Sequence, residues 1–406
     1  MNVVIVNDYG YVNGGASKVA ITTAIALADA GIRVHFFCGV GPIAPELVDR
    51  PNLQATCLNT TPYNKSADKR RAIFAGIWDR TAKAALVDSV SSMRTDDTVI
   101  HFHSHRDALS PSVVTAATGR AFPAIYTCHE YGLACPYSSF YHHGIDGICP
   151  HRGLSIGCVS AHCNRGSYGK KIWTVGRQLV QRSYATVPAS LSDVIYVSNF
   201  SKAILESYVP TGVREHVLAN PIPVEKEAPR KLEPHAPFVF VGLLTPGKDP
   251  VMLARAGAVT NFPIEFYGDG ELADDIKTAN PQAVVSGWLE QPELLAKLKK
   301  ARAIVLPARW YETQGLVIQE AAALGVPAIV SRTCAATDFV DDGSNGLYCE
   351  AANLESLTSA MTALKDDGLA CEMGQRAYAK FWSNPPTMKG HMEGLLQIYE
   401  GALAHG

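Results

Sequence analysis

The chain has 406 residues, 47% of them hydrophobic and 18% charged, with a formal net charge of −2. Such a composition buries a large core, which excludes wholesale disorder, and its near-neutral balance offers no global basic field for nucleic acid. The longest apolar runs, such as Phe238–Leu244, fall far short of the roughly 20 residues that span a bilayer.

The N-terminus, Met1-Asn2-Val3-Val4-Ile5-Val6, runs straight into a strand. No basic segment precedes an apolar one, so no secretory signal is expected and the chain reads as cytoplasmic. Val3–Asn7 is a β-branched run of the kind found in buried parallel strands. A glycine-bearing loop, Asp8 to Gly15, leads to a helix over Ala16–Ala30 that stops at Gly31. Strands are predicted at Arg33–Cys38, Thr98–Phe102 and Ala124–Thr127, with a helix over Pro111–Thr118. The stretch Cys128–Gly169 breaks this rhythm, being rich in Gly, Cys, His and Tyr without a period. A helix over Tyr168–Tyr184, a strand at Asp193–Ser198 and a short helix over Asn199–Ser207 follow. Asn220-Pro221-Ile222-Pro223 and the charged, proline-rich stretch to Pro237 read as an interdomain linker. Alternation then restarts, with strands at Phe238–Leu243, Ile264–Tyr267, Ala283–Ser286, Ala303–Leu306 and Pro327–Ser331. The tail from Met373 is helical around Asn384-Pro385-Pro386. The reading is therefore α/β, with two doubly wound domains over 1–222 and 223–384. The first carries a Cys-rich insertion, 128–169, and the terminal helix 385–406 is expected to pack back on it. Ligands of such sheets sit at the C-terminal strand ends, here facing a cleft.

The most informative stretch runs from Pro307 to Pro327. A strand ends in a loop, and a helix begins near Gln314, Gly315 and Leu316. Free backbone N–H groups and the helix dipole make an anion site suited to a diphosphate. Glu312 precedes that helix and Glu320 lies inside it. At about 1.5 Å rise per residue the two carboxylates can flank a ligand roughly 10 Å long. A random glutamate pair at this spacing would be two surface acids. The intervening Gly315 and the trailing Ala321, Gly325 and Pro327 favour a site.

Glu312, seven intervening residues and Glu320 resemble the signature of retaining glycosyltransferases of family 4, which have the GT-B fold. Supporting pieces fall in the family's order: Gly14-Gly15, Thr127-Cys128-His129-Glu130, Val197-Ser198, Asn220 to Pro223, Val241-Gly242, Lys248, Gly268-Asp269-Gly270 and Asp342-Gly343-x-Asn345-Gly346. The resemblance implies two Rossmann-like domains and transfer of a sugar from a nucleoside-diphosphate-sugar to a hydroxyl of a glycan, lipid-linked saccharide or small molecule, as in polysaccharide biosynthesis. It implies that Glu320 holds the donor ribose and Glu312 the donor sugar. The amides of Gln314, Gly315 and Leu316 would hold the distal phosphate, and Lys248 would neutralise the leaving diphosphate. His129 would touch the sugar near the reacting carbon, and Gly14 and Gly15 would admit the phosphates. No cofactor or metal is required if Lys248 and the helix terminus stabilise the leaving group. One position departs: the family's arginine after Gly242 is Leu243. Arg309 is the candidate substitute; the alternative is a degenerate, non-catalytic nucleotide-sugar-binding protein. A nicotinamide oxidoreductase would instead show G-x-G-x-x-G after the first strand, which Gly10, Gly14 and Gly15 do not supply.

His101, His103 and His105 alternate at strand spacing and should share a face. A core role suits His101. For His103 and His105, and for Glu130, contact on the acceptor side is the alternative to burial. A histidine near pKa ~6.5 could take the acceptor proton. Cys135, Cys149, Cys158 and Cys163, interspersed with His142, His143, His151 and His162, leave three readings: free thiols, a structural zinc, or disulfides. Two basic, partly apolar segments, Asn64–Leu86 and Tyr168–Tyr184, are either solvated core helices or contacts with anionic lipid at the inner membrane face.

Overall fold

A computed structural model describes residues 1–405. Seven strands form one parallel sheet: β1 (Asn2–Tyr9), β2 (Arg33–Val40), β3 (Leu53–Cys57), β4 (Thr98–Phe102), β5 (Ala124–Cys128), then, after the short hairpin β6 (Tyr141–His142) and β7 (Gly147–Ile148), β8 (Asp193–Tyr196) and β9 (Arg214–Val217). Their order is β3-β2-β1-β4-β5-β8-β9. A second parallel sheet contains β10 (Phe238–Val241), β11 (Ile264–Tyr267), β12 (Val284–Val285), β13 (Ala303–Leu306), β14 (Ala328–Ser331) and β15 (Gly346–Cys349), ordered β12-β11-β10-β13-β14-β15.

The β-branched run of β1 is buried on both faces, as a central parallel strand requires. Val4 and Val6 enter one core layer with Ile100, Phe102 and Tyr126. Val3 and Ile5 enter the opposite layer, where Met392, Leu395, Ile398 and Tyr399 of the last helix, Met388–His405, join them. The chain thus ends in the core of the domain where it began. Each fully buried side chain of this kind contributes about 1.5–3 kcal/mol. The second sheet is covered the same way, with Phe238 and Phe240 on one side and Val239 on the other.

The two crossings between domains lie side by side. The N–H of Ile222 donates to the Pro386 carbonyl at 2.9 Å, and His391 is hydrogen-bonded with the Ala219 carbonyl at 2.9 Å. In the same hinge Asn220 Nδ2 donates to Gln314 Oε1 at 2.6 Å.

Candidate active site

The loop after β13 turns into the helix Leu316–Ala323 through Gly315, whose φ of +69° lies in the left-handed region that glycine enters without a Cβ clash. No side chain caps this helix. Among the described residues no acceptor pairs with the N–H of Gly315, Leu316 or Val317. Three free amides at the positive end of a helix favour an anion. Beside them Glu312 Oε2 accepts from Lys248 Nζ at 2.8 Å and from the Trp310 indole at 3.2 Å. Lys248 comes from the turn after β10, and its ammonium lies 3.5 Å from where a Cβ on Gly242 would be. A side chain there would crowd the lysine.

Glu320 points at the N-terminal domain. Gln291 Nε2 donates to its Oε1 at 3.5 Å, and Lys18 Nζ donates to Gln291 Oε1 at 2.9 Å. Burial pushes the Glu320 carboxyl above its usual range, while Lys18 pulls it back. Just before Lys18, Gly14 sits at φ +128°, and a Cβ on Gly14 or Gly15 would meet nothing within 4 Å. The loop is therefore open at both glycines. Behind it, the carboxylate of Asp8 accepts the N–H groups of Arg106, Asp107, Ala108 and Leu109 at 2.7–3.0 Å, which fixes the loop after β4.

A cavity of about 540 Å³ opens beside Glu312. Its N-terminal wall is His129, Glu130 and the insertion, through Tyr137, Tyr141, His143 and Arg165. Its C-terminal wall is Leu243, Pro246, Glu271, Trp310 and Tyr311. The insertion is tied across the cleft, with Arg165 meeting Glu271 at 2.5 Å and Asp146 pairing with Arg309. Deeper in, Thr313 Oγ1 donates to the His129 carbonyl at 3.1 Å and Ser198 Oγ to the Thr313 carbonyl at 2.6 Å.

The expected site residues divide into three groups. Glu312, His129 and Glu130 line the cavity, Lys248 pairs with Glu312 against Gly242, Gly315 and Leu316 carry the free amides, and Gln291 links Glu320 to Lys18 in the helix that follows Gly14 and Gly15. The Gln314 side chain is buried in the hinge against Asn220. Glu130 pairs with Arg106 at 3.2 Å; burial raises its carboxyl and Arg106 lowers it.

His103 and His105 do not line this cavity, which corrects the expectation of an exposed contact for both. His103 is 2% exposed and sits behind His129, with Nδ1 and His129 Nε2 2.9 Å apart. Its ring lies 4.3 Å from that of His101, which is hydrogen-bonded with Tyr399 and Thr127 at 2.7 Å each. His105 does not share their face. The strand ends at Phe102, the Asp8 clamp bends the chain, and His105 packs on Tyr126 in the other core layer. Arg309 is not a free phosphate-facing cation, because its guanidinium is held between Asp249 and Asp146. The cysteines do not enclose a metal centre either. Lys171 Nζ lies between Cys163 and Cys158, and among the described residues no three His, Cys, Asp or Glu side chains form a metal-ligating group. All ten cysteines are free thiols.

Sequence reasoning missed Lys18, Asp8, Trp310 and the Asp146 and Arg165 ties. Lys18 carried a signal in hindsight: it sits in the first turn of the helix after the glycine loop, the turn that faces any bound phosphate.

Residues 238–367 match the family described as Glycosyl transferases group 1. A GDP-mannose-dependent alpha-mannosyltransferase of Corynebacterium glutamicum is 31% identical over 170 residues, covering 41% of this chain and 40% of the relative. A D-inositol 3-phosphate glycosyltransferase of Acidothermus cellulolyticus is 28% identical over 191 residues, covering 41% of each. The matched stretches thus span about two-fifths of these relatives' length. The fold is shared end to end with sucrose-phosphate synthase from Thermosynechococcus elongatus, with TM-score 0.71, 15% identity and 100% coverage of both chains. It is also shared with Anabaena Alr3699/HepE solved with UDP, with TM-score 0.65, 14% identity and 99% and 100% coverage. The two-sheet architecture is GT-B.

Proposed function

We propose that the chain, whose residues 238–367 match the group 1 glycosyl transferases, moves a sugar from a nucleoside-diphosphate-sugar to an acceptor hydroxyl, with retention at the anomeric carbon. The observation that carries this reading is the set of unpaired amides at Gly315–Val317, flanked by the Lys248–Glu312 pair on one side and Glu320 on the other. A diphosphate fits the amides, and its developing charge on departure falls next to Lys248. Preorganised donors of this kind stabilise a leaving group in a way water cannot. Glu320 takes the ribose hydroxyls at the far end, with Lys18 closing over it from the other domain. The acceptor occupies the aromatic cavity by His129.

Burial, reinforced by His391, pushes His129 down to about 3, so the ring is neutral and weakly basic at neutral pH. It can hydrogen-bond the donor sugar but is poorly matched to take a proton. The acceptor proton then passes to the departing phosphate oxygen on the same face, consistent with retention.

The relatives carry different donors by name, so the base and sugar used here are left to experiment. Incubation with UDP-, GDP-, ADP- and TDP-sugars should give slow hydrolysis of one donor, nearly lost in Lys248→Ala at saturating donor. Leu243, 54% exposed in the cleft where the family has arginine, favours one other reading: a binder that holds the donor without turnover. Binding with no hydrolysis or transfer would establish that reading instead.

Partner contact with a membrane surface belongs to the same proposal. The helices Lys69–Ile77 and Tyr168–Ser183 pack together through Trp173, whose indole donates to the Ile73 carbonyl at 2.9 Å. They leave Ile73, Phe74, Ile172 and Leu179 exposed beside Lys69, Arg70, Arg71 and Lys170. Phe74 is 74% exposed. No helix among the described residues is long and apolar enough to cross a membrane, whereas this face suits shallow contact with anionic headgroups.

A further inference from the structure

Lys171 poses a problem that the transfer reaction does not solve. It lies in the first turn of the helix Tyr168–Ser183 and is 1% exposed. Its ammonium has two partners, both sulfur: Cys163 Sγ at 3.2 Å and Cys158 Sγ at 3.6 Å. Buried cations elsewhere in the molecule meet oxygen, as Arg302 meets Asp367 and two carbonyls and Arg177 meets three carbonyls. An ammonium set against neutral thiols, at the positive end of a helix, is costly to bury. The burial is relieved when the pair releases one proton to solvent, leaving nitrogen and sulfur in contact without a net charge. The other buried thiols, Cys38, Cys128, Cys135, Cys334 and Cys349, have no amine hydrogen-bonded to them, and burial raises each one, holding it as an inert thiol.

We propose that Cys163 and Lys171 are a redox modification site, at which dioxygen or hydrogen peroxide joins them through a single oxygen as an N–O–S cross-link. With dioxygen, the Cys163 S–H and one Lys171 N–H are lost, and one oxygen atom forms the S–O and O–N bonds. The other oxygen leaves as water with those two hydrogens. Sulfur and nitrogen each give up two electrons, which together reduce the dioxygen; with hydrogen peroxide two molecules take the same four electrons, one supplying the bridging oxygen, and three waters leave. Excess thiol reverses the step, returning the thiol, the amine and a second water. Cys158, on the far side of the same nitrogen, is the competing thiol.

The link acts where it matters for the cleft. Cys163 and Arg165 share one loop; the Cys163 carbonyl accepts the His143 N–H at 3.0 Å, and Arg165 reaches Glu271 in the other domain. His143 and Arg165 both line the cavity. Oxidation therefore pins one wall of that cavity to the helix beneath it, whatever the cavity binds.

The test uses the full chain, exposed to dilute hydrogen peroxide and analysed without reductant. The expected product gains one oxygen and loses two hydrogens, reverts with dithiothreitol, and yields a proteolytic fragment joining Cys163 to Lys171. Cys163→Ser should lose the adduct, as should Lys171→Gln. A mass loss of two hydrogens with a Cys158–Cys163 fragment, whole-oxygen gains on cysteine with Lys171 unmodified, or no change would each overturn the proposal. Fragment mapping of the unsubstituted protein decides the matter even where a variant fails to fold.

Discussion

In the proposed reaction Lys248 and Glu320 serve the two ends of one donor, and they should fail differently. Lys248 faces charge that grows only as the diphosphate leaves, so Lys248→Ala should lower kcat by about 10²–10³-fold, the usual cost of one such donor. Glu320 binds ground and transition states alike, so Glu320→Ala should act mainly on donor affinity, by about 1.5–3 kcal/mol for a charged hydrogen bond. Steady-state kinetics with the active donor separates the two; equal effects on kcat would contradict the assignment. The buried histidines make a second residue-scale prediction. Burial lowers His101, His105 and His129 to about 3, and His103 well below its usual value. The folded protein keeps them neutral, while the unfolded chain protonates them near 6.5. Below that pH the unfolded state binds more protons, so stability must fall as pH drops from about 6.5 toward 3. Denaturant titrations at pH 7 and pH 5 should show the loss, and a flat profile would show that the rings are hydrated. Glu312, Glu320 and Lys248 were legible because the first two sit in one short motif and the third in a glycine turn. Lys18 was not, because its partner Gln291 lies 273 residues away and only the folded cleft joins them.

At the scale of elements, the central strands were readable, as was the edge strand Val284–Val285, while the other three edges were not. Continuous apolar runs announced β1, β4 and β10. Leu53–Cys57, Arg214–Val217 and Gly346–Cys349 escaped because edge strands are half-exposed and carry mixed residues. The insertion had no period to read, since it is held by ion pairs and side chain–backbone bonds instead of a repeating apolar face. The open glycine loop gives an element-scale prediction. Gly15→Leu has free space for its side chain in the unliganded protein, so melting should stay near that of the parent, while donor binding weakens by tenfold or more; retained affinity would place the phosphates elsewhere. For the paired basic helices, vesicles containing anionic lipid should co-sediment the protein and neutral vesicles should not. Phe74→Ser with Arg70→Glu should abolish the effect, and equal binding to both vesicle types would argue against this face.

For the whole molecule, the two lobes are joined at a hinge and tied across the gap by Lys18–Gln291, Asp146–Arg309 and Arg165–Glu271, and the proposed reaction sets the donor on one lobe and the acceptor on the other. A ligand that bridges the lobes should stabilise both together. The most direct measurement is the melting temperature of the full chain against a panel of nucleoside-diphosphate-sugars. At about 100 times its Kd the correct donor stabilises the fold by about 2.7 kcal/mol, and the account predicts a clear rise for one base, largely lost in Glu320→Ala and kept in Lys248→Ala. No rise with any member of the panel, or an undiminished rise in Glu320→Ala, would contradict it.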